Sequence, residues 1–193
     1  MHVLILAAGL GTRMGGRKVR LLVGGLPLLL AHIGAARAAG CARVLVVAHP
    51  DDEAWASTEA ECVVSTEPEQ SGSLALGVRR LEAPPDALVL ITPVDTLPAS
   101  PTTVARLTLA LTGPVRAATP RSAGRGGHPV LLFSRVLDPY RHPPPCPPLR
   151  EVLAALGPLR VRVDVDDPNV GIDLDEPADA ARITGAPPRF FVG

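Results

Sequence analysis

The sequence predicts an α/β fold: a Rossmann-like, mostly parallel sheet with helices on both faces, a three-layer α/β/α sandwich. Three observations predict it. Short apolar runs such as Val3-Leu4-Ile5-Leu6 and Val44-Leu45-Val46-Val47 read as buried strands. These runs alternate with segments of helical length, the pattern of a parallel sheet covered on both sides. A glycine-rich turn follows the first run, and such sheets bind ligands at the carboxyl ends of their strands.

The elements follow in order. Val3–Ala7 is the first strand. Pro27–Ala39 is a helix, with proline near its start and Gly40 at its end. Val44–Ala48 is a second strand, Asp51–Ser57 a short helix and Cys62–Ser65 a third strand. Ser73–Leu81 is a helix closed by Pro84-Pro85, and Ala87–Thr92 a fourth buried strand. Pro101–Leu111 is a helix, Val115–Ala118 a fifth strand and Pro129–Phe133 a sixth. Leu149–Leu156 is a helix, Val161–Val165 a strand and Pro177–Ile183 the last helix. Two stretches are irregular. Arg121–His128 reads as a flexible basic loop, and His142–Pro148 as a rigid polyproline-like one. No repeat or linker divides the chain, so one domain over its 193 residues is expected.

Composition excludes several classes. Nineteen basic and nineteen acidic residues leave no net charge, against the basic excess of a nucleic-acid binder. Aromatics at 3% argue against a base-stacking platform for single strands. Three cysteines, Cys41, Cys62 and Cys146, are an odd number without metal-ligand spacing, which fits a reduced, cytoplasmic setting. The first apolar run has no basic segment before it and is interrupted by Gly9 to Arg13. It therefore reads as neither a signal peptide nor a membrane span. A monomer or weak homo-oligomer is expected, with no membrane and no nucleic-acid partner.

The stretch Val3 to Lys18 carries the strongest chemical signal. Four glycines within Gly9 to Gly16 let a backbone come close to a ligand. Arg13 and Lys18 add cations where amide N–H groups can converge on an anion. Lys18 is the only lysine among nineteen basic residues, so a compact ammonium is used where arginine is the rule. Two familiar phosphate loops do not fit. Arg17 and Val19 flank Lys18, where a P-loop needs Gly-Lys-Ser/Thr. Met14 stands where the dinucleotide pattern needs its third glycine.

Two acidic elements lie far downstream. Asp95 follows the apolar strand Ala87–Thr92, at the strand end where a carboxylate can hold Mg²⁺ over the sheet edge. Asp173 and Asp175 alternate along an extended segment, so they share a side. Asp179 reads as a cap of the helix that starts at Pro177.

These residues give the sequence a family likeness. L-A-A-G-x-G/S-x-R-M-G-x-x-K is the signature loop of nucleotidyltransferases with the glycosyltransferase-A-like, nucleotide-diphospho-sugar transferase fold. Leu6-Ala7-Ala8-Gly9, Arg13-Met14-Gly15 and Lys18 match it position for position. Gly24-Gly25-Leu26-Pro27-Leu28-Leu29 resembles the G-G-x-P-L-L that starts the next helix. The chain thus resembles the MobA-like NTP transferases, the molybdenum-cofactor cytidylyl- and guanylyltransferases. The resemblance implies nucleotidyl transfer from an NTP to a phosphorylated acceptor, with pyrophosphate released. The family's acceptors include a molybdopterin-type cofactor.

The same resemblance implies the site. Arg13, Lys18 and Asp95 are its catalytic residues. Leu6, Ala7, Ala8, Gly9, Gly11, Thr12, Arg13 and Lys18 bind the nucleotide. Ser71 and Ser73 join them through Glu67–Gly77, which resembles the family's N-x-x-x-x-G-x-x-S-S-L-x-x-G with glutamate for asparagine at Glu67. Asp95 and Asp175 hold Mg²⁺. His128, in a G-H-P-V-L like that of the cytidylyl branch, and Asp173 face the acceptor. His142 to Pro148 replaces the family's G-D-x-G-A-R, leaving Leu149-Arg150 comparable. Ala7-Ala8-Gly9 resembles the cytidylyl branch more than the A-G-G of guanylyl relatives, which puts CTP first and GTP second.

Ala48-His49-Pro50-Asp51-Asp52-Glu53 points elsewhere. It resembles the zinc motif of the N-acetylglucosaminyl deacetylases, in which His and Asp bind zinc and a neighbouring Asp acts as base. Such a site needs a further histidine. His128 and His142 lack that family's H-x-D-H setting, and the motif follows the second strand where that family has it after the first. Within a transferase, the three acids favour the start of a helix. A non-catalytic nucleotide-binding relative is the third possibility, and the retention of Lys18, Asp95 and Asp175 together argues against it.

Overall fold

The central strand of the sheet is β1 (His2–Ala7), whose residues Val3, Leu4 and Ile5 are wholly buried. This computed structural model describes residues 1–192. After β1 come a small hairpin, β2 (Leu22–Val23) and β3 (Leu26–Pro27), then α1 (Leu28–Ala38), β4 (Arg43–Ala48) and α2 (Pro50–Glu59). The chain continues through β5 (Glu61–Val64), α3 (Gln70–Leu81), β6 (Leu88–Pro93), α4 (Pro101–Ala110), β7 (Ala117–Ser122), β8 (Arg125–Gly126) and β9 (Val130–Phe133). It closes with α5 (Leu149–Ala155), β10 (Arg160–Asp164) and α6 (Pro177–Thr184).

The main sheet has the strand order β10-β7-β9-β6-β1-β4-β5, with β8 paired to β7. The run β6-β1-β4-β5 is parallel, and so is β10 with β7. β9 lies antiparallel between β6 and β7 and joins the two parallel parts. Alternation along β1 divides its side chains between two cores. Val3, Ile5 and Ala7 pack with α1 and α4, and Leu4 and Leu6 with α3 and α5. Full burial of each such aliphatic side chain contributes about 1.5–3 kcal/mol. That two-sided burial fixes the register of β1, and with it the place where the chain leaves the sheet.

The element boundaries differ from the sequence reading in instructive ways. The short helix expected from Asp51 begins at Pro50, and the His49 side chain accepts the Asp51 N–H at 3.2 Å. The fifth strand, expected over Val115–Ala118, lies over Ala117–Ser122. Arg121–His128 is not simply a loop, because β7 and β8 form a hairpin there. Ala123 and Gly124 both have positive φ at its tip, the geometry of a type I′ turn. No Asn-Gly signals it. The proline-rich stretch is tied down by Tyr140, which donates to the Pro147 carbonyl at 2.9 Å. Among the described residues no helix is long and apolar enough to cross a membrane.

Candidate active site

The loop after β1 is held by packing as much as by its glycines. Gly11 has φ +65°, and a Cβ there would stand 2.3 Å from the Gly16 carbonyl oxygen. Only glycine fits that turn. Met14, Val19 and Leu21 are buried in the core, so the loop is pinned from below. Asp52, 1% exposed at the start of α2, takes Arg17 through Nε at 2.8 Å and Nη2 at 2.6 Å. It also takes Arg20 Nε at 2.8 Å. The tail adds a third restraint. Leu22 donates to the Arg189 carbonyl and Phe191 to that of Arg20, while the Phe190 ring lies flush against Gly16.

Lys18 leaves this pinned loop and reaches two carboxylates. Its Nζ lies 2.7 Å from Asp175 Oδ1 and 3.3 Å from Asp95 Oδ2. The backbone explains why these acids meet. Val94 donates to Leu6 as β6 ends beside β1. Segment 173–175 then runs antiparallel to Asp95-Thr96, with Leu174 donating to the Asp95 carbonyl at 2.7 Å and Thr96 bridged to Asp173. Leu174 is wholly buried and anchors the segment. Asp179 fixes its end. Its carboxylate accepts the N–H of Glu176 at 2.9 Å and of Asp175 at 3.1 Å, closing a capping box on α6. Those bonds and Arg182 hold the Asp179 carboxyl below the usual carboxylate range.

Two cavities open along the carboxyl edge of the sheet. The first, of about 710 Å³, is lined by the β1 loop, Lys18, His49, Glu67, Ser73 and Asp95. The second, of about 510 Å³, is lined by Ser71, Thr119, His128, Arg150 and Arg160, with Leu74, Leu149 and Leu153 as apolar wall. Leu6, Glu69 and Gln70 form the partition and face both.

The residues singled out in the sequence divide among these places. Leu6, Ala8, Gly9, Gly11, Arg13, Lys18, Ser73 and Asp95 line the first cavity. Arg13 is exposed, and no ion pair engages it among the described residues. Ala7 is wholly buried in the core with α1, so only its backbone is open to a ligand role. Thr12 is exposed in a 3₁₀ turn and lines neither cavity. The Ser73 hydroxyl pairs with that of Ser65 at 2.8 Å. Ser71 lines the second cavity, as His128 does, and not the first, because it lies on the other side of the partition in the first turn of α3. Asp173 is exposed.

His128 is half-buried, and its Nδ1 is enclosed without a partner among the described residues. Burial lowers its pKa, although Asp173 and Asp95 pull it upward, so the ring is neutral near pH 7. Sequence reasoning passed over His32, which is wholly buried behind Asp95. Its Nε2 donates to the Thr96 carbonyl at 2.8 Å, and burial pushes its pKa down to about 4. Arg17, Arg20, Thr119, Arg160 and Phe190 were missed as well. A pair of arginines flanking Lys18 was the one available signal, and its partner Asp52 was read only as a helix-dipole acid or a zinc ligand.

The zinc-like motif is spent on structure. His49 caps α2 through the Asp51 N–H, and Asp52 is taken up by two guanidinium groups. No group of three or more His, Cys, Asp or Glu among the described residues could hold a metal alone. Asp95 and Asp175 do suit Mg²⁺, which needs one or two carboxylates when substrate phosphates and water complete its shell. Both reach a single cation already, the Lys18 ammonium, which shows that their oxygens converge.

Solved structures share this architecture. A nucleotidyl transferase from Methanothermobacter thermautotroptrophicus is 21% identical, with 95% of each chain covered and a TM-score of 0.75. Rv0371c from Mycobacterium tuberculosis is also 21% identical, over 96% of this chain and 97% of that one, with a TM-score of 0.76. The bifunctional IspDF from Campylobacter jejuni is 17% identical, with 93% of this chain covering 53% of it at a TM-score of 0.74. At these identities the likeness is one of fold. None of the curated proteins matches the sequence. Residues 3–162, from β1 into β10, match the MobA-like NTP transferase domain, and the chain belongs to that family of nucleotidyltransferases.

Proposed function

We propose that this single domain transfers an NMP from an NTP to a phosphorylated acceptor with Mg²⁺ as cofactor, CTP being the first donor to test and GTP the second. The observation that carries the reading is the meeting of Lys18, Asp95 and Asp175 at the edge of the cleft lined by the β1 loop. In the reaction an acceptor phosphate oxygen attacks the α-phosphorus. The new P–O bond forms as the α–β bridging bond breaks, and pyrophosphate leaves with its electron pair. Charge builds on the α-phosphoryl oxygens and on the leaving group. Arg13 and Lys18 supply fixed positive charge to both, and the loop amides orient the chain of phosphates. Asp95 and Asp175 would hold a divalent ion, which would supply further positive charge against that developing on the phosphates. A manganese complex of the M. tuberculosis relative is in keeping with such a hard cation. Without nucleotide, Lys18 balances the two carboxylates itself. With nucleotide bound, its four-carbon stem lets the ammonium turn to the phosphates and free the acids.

His128 sits in the second cavity, neutral and close to Asp95 and Asp173, on the side left for the acceptor. No covalent enzyme intermediate is needed, since positioning and electrostatics supply most of the catalysis in phosphoryl-type transfer. The test is a thermal-shift panel of CTP, GTP, UTP, ATP and TTP, each with and without Mg²⁺. A preferred nucleotide at about 100-fold its Kd should raise Tm by about 5–10 °C, and only with Mg²⁺. No shift with any of the five would overturn the reading.

A further inference from the structure

The second cavity contains a cation that no acid balances among the described residues. Arg160 opens the edge strand β10, and its guanidinium reaches along the strand to the Thr119 hydroxyl on β7, with Nη2 at 3.2 Å. Its Nε is buried without a partner among the described residues. A buried N–H left unpaired is costly, and native structures fill such positions with a partner. No described carboxylate forms an ion pair with Arg160 or with Arg150. Glu69, the one acid in the lining, is engaged by the Ser71 hydroxyl at 3.3 Å. Burial and the neighbouring Arg162 both lower the Arg160 pKa, the effect of a positive charge without compensation. Thr119 is buried and only accepts in its bond to Arg160, so its own proton is free for a ligand.

We infer that Arg160 and Thr119 form a seat for a second anionic group on the acceptor, a carboxylate or a phosphate distinct from the phosphate that attacks. The inference rests on the nucleotidyl-transfer reading, which puts the attacking phosphate at the partition near Asp95. The guanidinium ends at Thr119, level with Ile91 and two strands from β6, so it is separated from Asp95 by about 10 Å across the sheet and about 10 Å along it. Each anion stands about 3 Å inward of the groups that hold it, so the two anionic ends lie on the order of 10 Å apart. This is the reach of a six-carbon chain with a group at each end. Leu74, Leu149 and Leu153 cover its middle with apolar surface. A guanidinium with a free edge suits an oxyanion with two acceptor oxygens.

The test compares probes matched in size. 6-Phosphogluconate is set against glucose 6-phosphate, and fructose 1,6-bisphosphate against fructose 6-phosphate, by isothermal titration. The wild-type protein should bind the doubly anionic member of at least one pair about 10-fold tighter or more, as expected for a charge-assisted hydrogen bond. The pair that shows the preference tells carboxylate from phosphate. Arg160→Met should abolish the preference and leave the affinity for the monophosphates and for CTP with Mg²⁺ unchanged. Arg160→Lys should keep part of it, and Thr119→Val should reduce it in a strand that keeps its shape. No preference in the wild-type protein, or one that survives Arg160→Met and Thr119→Val, overturns the inference. If no nucleotide binds but the Arg160-dependent preference is present, the transfer reading fails and the anion seat stands.

Discussion

Lys18 Nζ lies 2.7 Å from Asp175 Oδ1, a contact between residues 157 positions apart that brings the first loop of the chain onto its last acidic segment. It makes one ammonium serve two purposes. Lys18→Ala should lower turnover about 10²- to 10³-fold, the usual loss when one fixed donor to a transition-state charge is removed. In nucleotide-free protein the same variant should bind Mn²⁺ more tightly than the wild type, because Asp95 and Asp175 lose their counter-charge. Near-normal turnover, read by pyrophosphate release, would sink the assignment.

Asp95 is the more central carboxylate, set directly at the end of β6. Asp95→Ala should remove the dependence of rate on Mg²⁺, leaving a slow residual reaction that no longer rises as Mg²⁺ is titrated. A variant that still saturates with Mg²⁺ at the wild-type concentration would reassign the ion to other groups.

Asp52 is buried between Arg17 and Arg20, and breaking such a pair from one side strands the other charge. Asp52→Ala should destabilise the fold by about 3–5 kcal/mol in urea denaturation. Asp52→Asn, which keeps an acceptor oxygen, should cost less. If Asp52→Ala instead left stability intact and released stoichiometric zinc, the motif would be a metal site after all.

His32 gives stability a defined pH dependence. Its folded pKa of about 4 lies below the ordinary 6.5, so the unfolded chain takes up the proton first as pH falls. Its contribution is therefore undiminished above about pH 6.5 and is lost as pH falls from there towards 4. The loss amounts to about 3 kcal/mol at the low end. Denaturation curves between pH 7 and pH 4 should show that slope, and His32→Gln, which retains a donor for the Thr96 carbonyl, should flatten it.

Gly16 and Phe190 are in direct contact, since a Cβ at Gly16 would stand 2.7 Å from the ring. Gly16→Ala should push the tail off the loop and raise the KM for NTP several-fold. Phe190→Ala alone should be milder, and the double variant should lose less than the sum of the two. Strict additivity would show that the ring and the loop are not coupled.

The fold was legible because β1, β4 and β6 are apolar on both faces, and nothing else accounts for runs such as Val44-Leu45-Val46-Val47. The antiparallel β9 and the β7–β8 hairpin were not, since Ser-Ala-Gly-Arg carries no strong turn signal and strand direction is settled by distant partners. Lys18, Asp95 and Asp175 stand out by type and position. Their convergence depends on Leu174 and Asp179, which set a backbone path that no local pattern announces. Arg160 was invisible for a related reason. In sequence it is one of eighteen arginines, and only the pairing of β10 with β7 shows that its charge is alone.

The tail that crosses the signature loop has a consequence for how the molecule is made. Gly9 to Lys18 leave the ribosome well before Arg189 to Phe191, which brace them. Until residues 175 to 191 emerge, the signature loop would exist without its brace and without Asp175. Nascent chains halted before residue 175 should therefore possess the sheet and lack nucleotide affinity, with binding competence arriving late and in a single step.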